Sequence, residues 1–104
     1  MLFVSGQLPI DPKTGEMVAG DIRLLTRQVV DNLEAILRAG GSSLQQVLRV
    51  DIFLIDLKED FVAMNEEYAK RFKGPNFPAR QTVQVSALPL GSSIEMSCVA
   101  YVGE

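Results

Sequence analysis

The residues best suited to chemistry in this chain are an arginine and a glutamate near its end. The run FPAR places Arg80 at the head of an alternating strand pattern, and Glu95 lies in the strand pattern that follows. The chain has no histidine, which excludes Ser-His-Asp and Cys-His catalysis and the usual zinc sites. Any chemistry must therefore come from carboxylates, arginine, hydroxyl groups, backbone groups or water.

The composition predicts one small globular domain over residues 1–104. Of these 104 residues 47% are hydrophobic, and the formal net charge is −3, without the clustered Lys and Arg that a nucleic-acid partner requires. No apolar run reaches the roughly 18 residues of a membrane span, and the start does not read as a signal peptide. The single cysteine, Cys98, cannot form an internal disulfide. We therefore expect a cytoplasmic protein with no membrane or nucleic-acid partner.

The hydrophobic patterns predict two helices and one sheet. The elements, in chain order, are a strand at 2–5, a turn at 11–15, a helix that begins after Asp21 and ends at Gly40, a strand at 48–55, a helix at about 59–73, and strands at 80–87 and 94–102. Two amphipathic helices need one sheet to pack on. The predicted fold class is α+β, a two-layer sandwich of one mixed sheet with two helices on one face.

The other face of this sheet has no predicted element to cover it. We expect this face to carry Arg80, Thr82, Gln84, Ser86, Glu95, Ser97, Val99, Tyr101, Phe53 and Ile55. Such a mixture of aliphatic, aromatic and polar groups is too apolar for bulk water, which favours self-association into a closed symmetric oligomer. A half-solvated antiparallel sheet is the alternative.

The last two strands are expected to form a hairpin centred between Leu90 and Gly91. Glu95 would then lie opposite Ser86, and Arg80 would lie about 20 Å away, at about 3.3 Å per residue. Arg80 and Glu95 of one chain should therefore not touch. A site that uses both must take one of them from a neighbouring subunit.

Four segments cover essentially the whole chain: LFVSGQLPIDPKTGEM, QVVDNLEAIL, VLRVDIFLIDLKEDFVAMNEEYAKRF and NFPARQTVQVSALPLGSSIEMSCVAYV. Together these segments resemble the RidA family, also called YjgF, of reactive imine/enamine deaminases. The last is similar to the family signature of P-A-R, then Leu-Pro and a glutamate-bearing strand. The resemblance implies a chorismate-mutase-like fold and a homotrimer with clefts between subunits. It also implies hydrolysis of 2-iminobutanoate and 2-iminopropanoate to 2-keto acids and ammonia, with no metal or cofactor.

The resemblance further implies roles for individual residues. Arg80 matches the arginine that binds the substrate carboxylate, and a guanidinium suits a planar carboxylate because it donates two parallel hydrogen bonds. Glu95 matches the glutamate that positions the attacking water. Substrate-binding positions are implied for Ser5, Gly6, Asn65 and Thr82. Many members carry cysteine at the position of Thr82, and the water mechanism does not require it as a nucleophile.

Family members usually have a further strand before the SGQ segment, so this N-terminal strand is expected to be missing here and residues 2–5 to form an exposed edge.

Other functions remain compatible with the same residues. The chain could be a non-catalytic trimeric module that binds 2-keto acids. An endoribonuclease or translation-inhibitor role and a chaperone-like role are further alternatives. Arg80 could also be a solvated surface residue, and Glu95 could pair with a lysine.

Overall fold

The elements of the chain follow the order that the sequence predicts. The computed structural model describes residues 1–103. Its strands are β1 (Leu2–Gln7), β2 (Ile10–Asp11), β3 (Glu16–Met17), β4 (Val47–Leu54), β5 (Ala79–Gln84) and β6 (Ile94–Ala100), and its helices are α1 (Ile22–Ala39) and α2 (Leu57–Arg71). One-turn 3₁₀ helices lie at Leu44–Gln46 and Pro89–Gly91.

Each helix begins at an aspartate. The Asp21 carboxylate accepts a hydrogen bond from the backbone N–H of Leu24 (3.0 Å), as predicted, and the Asp56 carboxylate accepts one from Glu59. These caps satisfy backbone donors that the first helical turn leaves free. Because Asp56 is the cap, α2 begins two residues earlier than about Glu59, where the pattern placed it. Within the described chain, neither helix combines the length and apolarity needed to cross a membrane.

The main sheet is mixed, with strand order β1-β6-β4-β5. β6 pairs antiparallel with β1 and with β4, whereas β4 and β5 are parallel and connected through α2. A parallel pair requires such a crossover. Both helices pack on one face of this sheet, and the predicted α+β fold class is confirmed.

The expected hairpin between the last two strands is wrong. β4 lies between β5 and β6, so these two strands do not pair. The parallel register instead places Arg80 beside Val50 and Thr82 beside Ile52. Val50 and Ile52 are fully buried beneath the helices, so Arg80 and Thr82 lie on the helical side of the sheet and not on the uncovered face where the pattern placed them.

The uncovered face of the sheet is here called the open face. Its residues include Phe3, Arg49, Phe53, Gln81, Val83, Glu95 and Val99, which are aligned with one another across the strands. Phe3 is 73% exposed and Val83 is 37% exposed. The predicted positions of Phe53, Glu95 and Val99 on this face are confirmed, because Ile94 and Met96 point into the core and leave the alternate residues outside.

Candidate functional site

The side chain of Arg80 reaches from β5 onto α2. Its Nη1 donates a hydrogen bond to Oδ1 of Asn65 at 2.5 Å. Its Cζ lies 4.7 Å from the ring centroid of Tyr68 and 5.8 Å from that of Phe61, within the range of about 6 Å for cation–π contacts. Residues four and then three positions apart share one face of a helix. One face of α2 therefore supplies all three contacts.

Arg80 differs from the other arginines in its lack of an acidic partner. Within residues 1–103 each of the others forms an ion pair with a carboxylate; they are Arg23, Arg27, Arg38, Arg49 and Arg71. Arg80 forms none with the acidic residues of that range and is exposed. A guanidinium has five N–H donors, and Asn65 accepts from only one nitrogen. The remaining donors suit a planar anion.

A cavity of about 200 Å³ adjoins Arg80 at the start of β5. It is lined by Arg49, Ala79, Arg80 and Gln81. Arg49 and Gln81 belong to the open face, whereas Arg80 comes from the helical side. The cavity therefore adjoins the open face at the start of the outer strand β5.

Glu95 lies on the open face against the backbone of β1. It is aligned with Phe53 of β4 and is half-buried. A Cβ atom added to Gly6 would lie 2.0 Å from Oε2 of Glu95, so only glycine leaves room for the carboxylate in this position. No lysine or arginine in the described chain pairs with Glu95, which removes the Glu95–lysine pair as its role in this structure.

A β-bulge brings Gly6 to this position. Val4 pairs with Cys98 and Gln7 with Met96, so β1 has one more residue than β6 between the two pairs. Ser5 precedes Gly6 in the bulge and is exposed. Its carbonyl accepts a hydrogen bond from Nε2 of Gln7 at 3.1 Å.

Arg80 and Glu95 of one chain lie apart. Arg80 is aligned with Val50 of β4 and Glu95 with Phe53 of the same strand, and they are on opposite faces. With about 3.3 Å per residue and about 4.8 Å between strands, their backbones are roughly 14 Å apart. The prediction that the two do not touch within one chain is confirmed, although for a different reason from the expected hairpin.

Two of the other residues that the family resemblance implies lie beside Arg80 or beside Glu95. Asn65 lies with Arg80, and Gly6 lies with Glu95. Thr82 faces α2, and its buried hydroxyl has no hydrogen-bond partner in the structure. Thr82 is therefore not brought to Glu95.

Burial controls the ionisation of two further groups. It raises the pKa of the Tyr68 hydroxyl to about 12 and that of the Cys98 thiol to about 11. Both groups are protonated at neutral pH. Cys98 is 3% exposed and belongs to the buried core.

A larger groove lies on the other side of Gly6. It occupies about 370 Å³ between the β1–β2 segment and α1, and its lining includes Gly6, Ile10, Asn32 and Ile36. Nδ2 of Asn32 donates to the carbonyls of Leu8 and Ile10, which fixes the segment beside the groove.

Sequence reasoning missed the aromatic residues beside Arg80. The apolar pattern of α2 by itself indicates only core packing for Phe61 and Tyr68, and Tyr68 does belong to the buried core, with Phe61 packed against it. The available signal was their spacing with Asn65, because residues 61, 65 and 68 share one helical face. Arg80, on the strand that follows α2, packs against this face of the helix.

The fold defines the chain as a small two-layer α+β domain, with Arg80 on an outer strand and Glu95 on the open face. A model of the family Endoribonuclease L-PSP matches residues 1–102. The chain belongs to this family, which is the RidA (YjgF) family that the sequence resembles.

Known members of the family are closely similar over most of the chain. A RutC family protein of Pyrococcus horikoshii is 53% identical over 100 residues, which are 96% of this chain and 78% of the relative. A human protein named 2-iminobutanoate/2-iminopropanoate deaminase is 40% identical over 102 residues, 98% of this chain and 73% of the relative. The crystal structure of Escherichia coli TdcF with bound serine matches with a TM-score of 0.89 at 35% identity, covering 97% of this chain and 80% of that one.

Proposed function

We propose that this protein hydrolyses reactive 2-imino acids, such as 2-iminobutanoate and 2-iminopropanoate, to 2-keto acids and ammonia. The observation that carries the proposal is the guanidinium of Arg80, which α2 holds in place without an acidic partner from residues 1–103. A substrate carboxylate fits the free donors of such a group. The 40% identity to the human 2-iminobutanoate/2-iminopropanoate deaminase supports the same reaction.

In this proposal Arg80 binds the substrate carboxylate, and Glu95 acts as the general base and then as the general acid. The oxygen of a water molecule bonds to the iminium carbon while Glu95 takes one proton from that water, which gives a carbinolamine. Glu95 then passes the proton to the amino nitrogen. The C–N bond breaks with its electron pair on nitrogen, the hydroxyl proton returns to Glu95 as the carbonyl forms, and the ammonia leaves with that proton as ammonium. A protonated imine is already electrophilic, so positioning and one carboxylate suffice.

The proposed site lies between subunits. Arg80 and Glu95 are on opposite faces of one sheet, so a single substrate reaches both only if they come from different chains. The cavity at Arg80 is also lined by open-face residues Arg49 and Gln81, which a second subunit packed on the open face would approach. We propose a homotrimer, the assembly that the family resemblance implies. We further expect cytoplasmic location, no metal or cofactor, and neither a nucleic-acid nor a membrane partner.

A small-carboxylate binding module without turnover is the second candidate. The observation that favours it is the separation of Arg80 from Glu95, because one chain alone offers an anion site without a general base. The relative TdcF was crystallised with serine, itself a small carboxylate. In this alternative Arg80 keeps its role and Glu95 has none.

A coupled assay tests the proposed deaminase. Threonine dehydratase generates 2-iminobutanoate, semicarbazide competes for it, and keto-acid release is followed with and without this protein. We expect acceleration by the wild type and its loss in Arg80→Ala. Arg38→Ala is the matched control, because Arg38 is 72% exposed and pairs with Glu34 on α1. Equal acceleration by wild type and Arg80→Ala would contradict the proposal.

Glu95→Gln separates the two candidates. Amide nitrogen and oxygen replace the carboxylate with little change of shape, but the amide cannot accept the proton. The deaminase predicts that turnover falls about 100-fold or more while 2-oxobutanoate still binds. The binding module predicts no turnover in either protein and unchanged binding.

A further inference from the structure

We propose that Tyr68 is a positioning residue for Arg80: the face of its ring holds the guanidinium in the orientation that receives a carboxylate. This inference rests on the carboxylate-binding role proposed for Arg80. The Cζ atom of Arg80 lies 4.7 Å from the centroid of the Tyr68 ring, and the ring of Phe61 is the more distant second contact at 5.8 Å. Both distances fall within the range of about 6 Å for cation–π attraction.

The ring of Tyr68 is fixed by its burial, whereas the long side chain of Arg80 is intrinsically flexible. Tyr68 is 7% exposed, and its ring stacks on that of Phe72 with centroids 4.4 Å apart and planes 16° apart. Arg80 lies on an outer strand and is exposed, so its long side chain would otherwise sample many rotamers. A fixed ring that orders the guanidinium beforehand reduces the entropy lost when a ligand binds.

The ring orients the guanidinium without blocking it. Asn65 holds only Nη1, and one hydrogen bond to a neutral amide leaves the plane of the guanidinium free to turn. A carboxylate in place of the ring would fix the plane but would also compete with the substrate. The aromatic face provides attraction without an anionic oxygen, which explains how Arg80 can be both ordered and without an acidic partner.

The ring and not the hydroxyl of Tyr68 has this role. The hydroxyl is buried and has no hydrogen-bond partner in the structure, and burial raises its pKa to about 12, so it carries no charge at neutral pH. Two substitutions therefore separate the two parts of the side chain. Tyr68→Phe removes the hydroxyl and keeps the ring, whereas Tyr68→Leu removes the ring and keeps much of the apolar bulk.

The experiment combines a binding measurement with a signal from Arg80 itself. The affinity for 2-oxobutanoate is measured by calorimetry, and the Nε–Hε resonance of Arg80 is observed by NMR and assigned by its loss in Arg80→Lys. In Tyr68→Leu we expect Kd to rise about fivefold to thirtyfold and the resonance to lose its ring-current shift. Tyr68→Phe should retain both properties. Met64→Ala, buried on the same helix, controls for lost stability and should leave both unchanged.

Three results would overturn the inference. Equal loss of affinity in Tyr68→Phe and Tyr68→Leu would assign the effect to the hydroxyl. An unchanged Arg80 resonance and affinity in Tyr68→Leu would show that the ring does not position the guanidinium. A loss of affinity in Met64→Ala as large as in Tyr68→Leu would reduce the effect to stability. If the wild type does not bind 2-oxobutanoate, the role proposed for Arg80 fails, and the resonance still decides whether Tyr68 orders the side chain.

Discussion

The carboxylate of Glu95 lies on the backbone of Gly6, and the missing side chain of Gly6 is what makes room for it. A Cβ at position 6 would meet Oε2 at 2.0 Å and Cδ at 2.6 Å, far inside van der Waals contact. The obstructing atoms are the end of a flexible side chain. Substitution at Gly6 should therefore move Glu95 and leave the fold largely intact.

Gly6→Ala is expected to reduce turnover without removing the anion site. The displaced carboxylate no longer positions the attacking water, and we expect kcat in the coupled assay to fall about tenfold to 100-fold. The affinity for 2-oxobutanoate should remain within about twofold, because Arg80 binds its carboxylate and is held by Asn65 and Tyr68, neither of which depends on Gly6.

Gly91→Ala is the control for this substitution. Gly91 has a positive φ of 68° and open space around its Cβ position, so alanine there strains the backbone without touching Glu95. A loss of kcat in Gly91→Ala as large as in Gly6→Ala would contradict a local effect on Glu95.

At the residue scale, the sequence could identify Arg80 and Glu95 as candidate functional residues, but it could not give the face of the sheet on which each side chain lies. Arg80 and Glu95 stand out because the chain lacks histidine and because their motif resembles a family signature. The direction of the Arg80 side chain depends on which strand lies beside β5. Alternation within one strand gives two sets of residues and does not say which set faces the helices.

At the scale of elements, a cluster of charges joins α1 to α2. Glu67 is 3% exposed and accepts hydrogen bonds from Lys70 (3.1 Å) on its own helix and from Arg23 (3.2 Å) on α1, while Arg27 lies 3.8 Å away. The hydrogen bond from Lys70, supported by that from Arg23, lowers the pKa of Glu67 below its usual value. The ionised form of Glu67 therefore stabilises the contact between the helices.

Glu67→Gln is expected to lower the melting temperature in a pH-dependent manner. Because the pKa of Glu67 is lower in the folded state, its stabilising effect is complete above the unfolded value of about 4.3 and is lost as pH falls through the folded value. The difference in melting temperature between wild type and variant, measured by circular dichroism, should be largest near pH 7 and should close toward pH 3.

Glu66→Gln provides the comparison on the same helix. Glu66 pairs with Arg23 at 2.7 Å but is 55% exposed, and exposed ion pairs contribute little to stability. The expected shift is therefore smaller than for Glu67→Gln at every pH. A pH-independent difference for Glu67→Gln would contradict a stabilising role of its charge.

Local signals predicted the elements well and their pairing poorly. The cap at Asp21 and the apolar stripe that follows it are contained within a few turns of sequence, so α1 begins where predicted. The partner of β5 is decided instead by α2, whose crossover places β5 parallel to β4. Two adjacent strand patterns favour a hairpin. The residues of β5 and β6 alone do not indicate that β6 pairs instead with β1 and β4.

At the scale of the whole molecule, the open face carries the apolar surface that the helices leave uncovered. Phe3 and Val83 are exposed there, and Phe53 and Val99 are half-buried. The sequence could predict this face from Phe53 and Val99 because they alternate with buried core residues. Its use as an interface is a proposal, since a second chain is what would cover it.

Val83→Lys is expected to disrupt the proposed assembly. A lysine in the middle of a buried apolar interface would have to lose its hydration without a partner. Light scattering should give about three times the chain mass of 11.4 kDa for the wild type and about one chain mass for the variant, with unchanged circular dichroism.

Val62→Lys is the control for the introduced charge. Val62 is 65% exposed on α2, away from the open face, so the assembly should persist. A wild type that is monomeric, or a Val83→Lys variant that assembles normally, would contradict the proposed interface.

A subunit-mixing assay tests the central claim, that Arg80 of one chain and Glu95 of another form the deaminase site. Arg80→Ala and Glu95→Gln chains are co-expressed with different tags, and mixed oligomers are purified and assayed for 2-iminobutanoate hydrolysis. Each variant alone should be inactive. The purified mixed trimers should restore about one third of the wild-type activity, because one of the three clefts in each mixed trimer combines an intact arginine with an intact glutamate. Mixed oligomers that stay inactive beside an active wild type would place the site within one chain and contradict the claim.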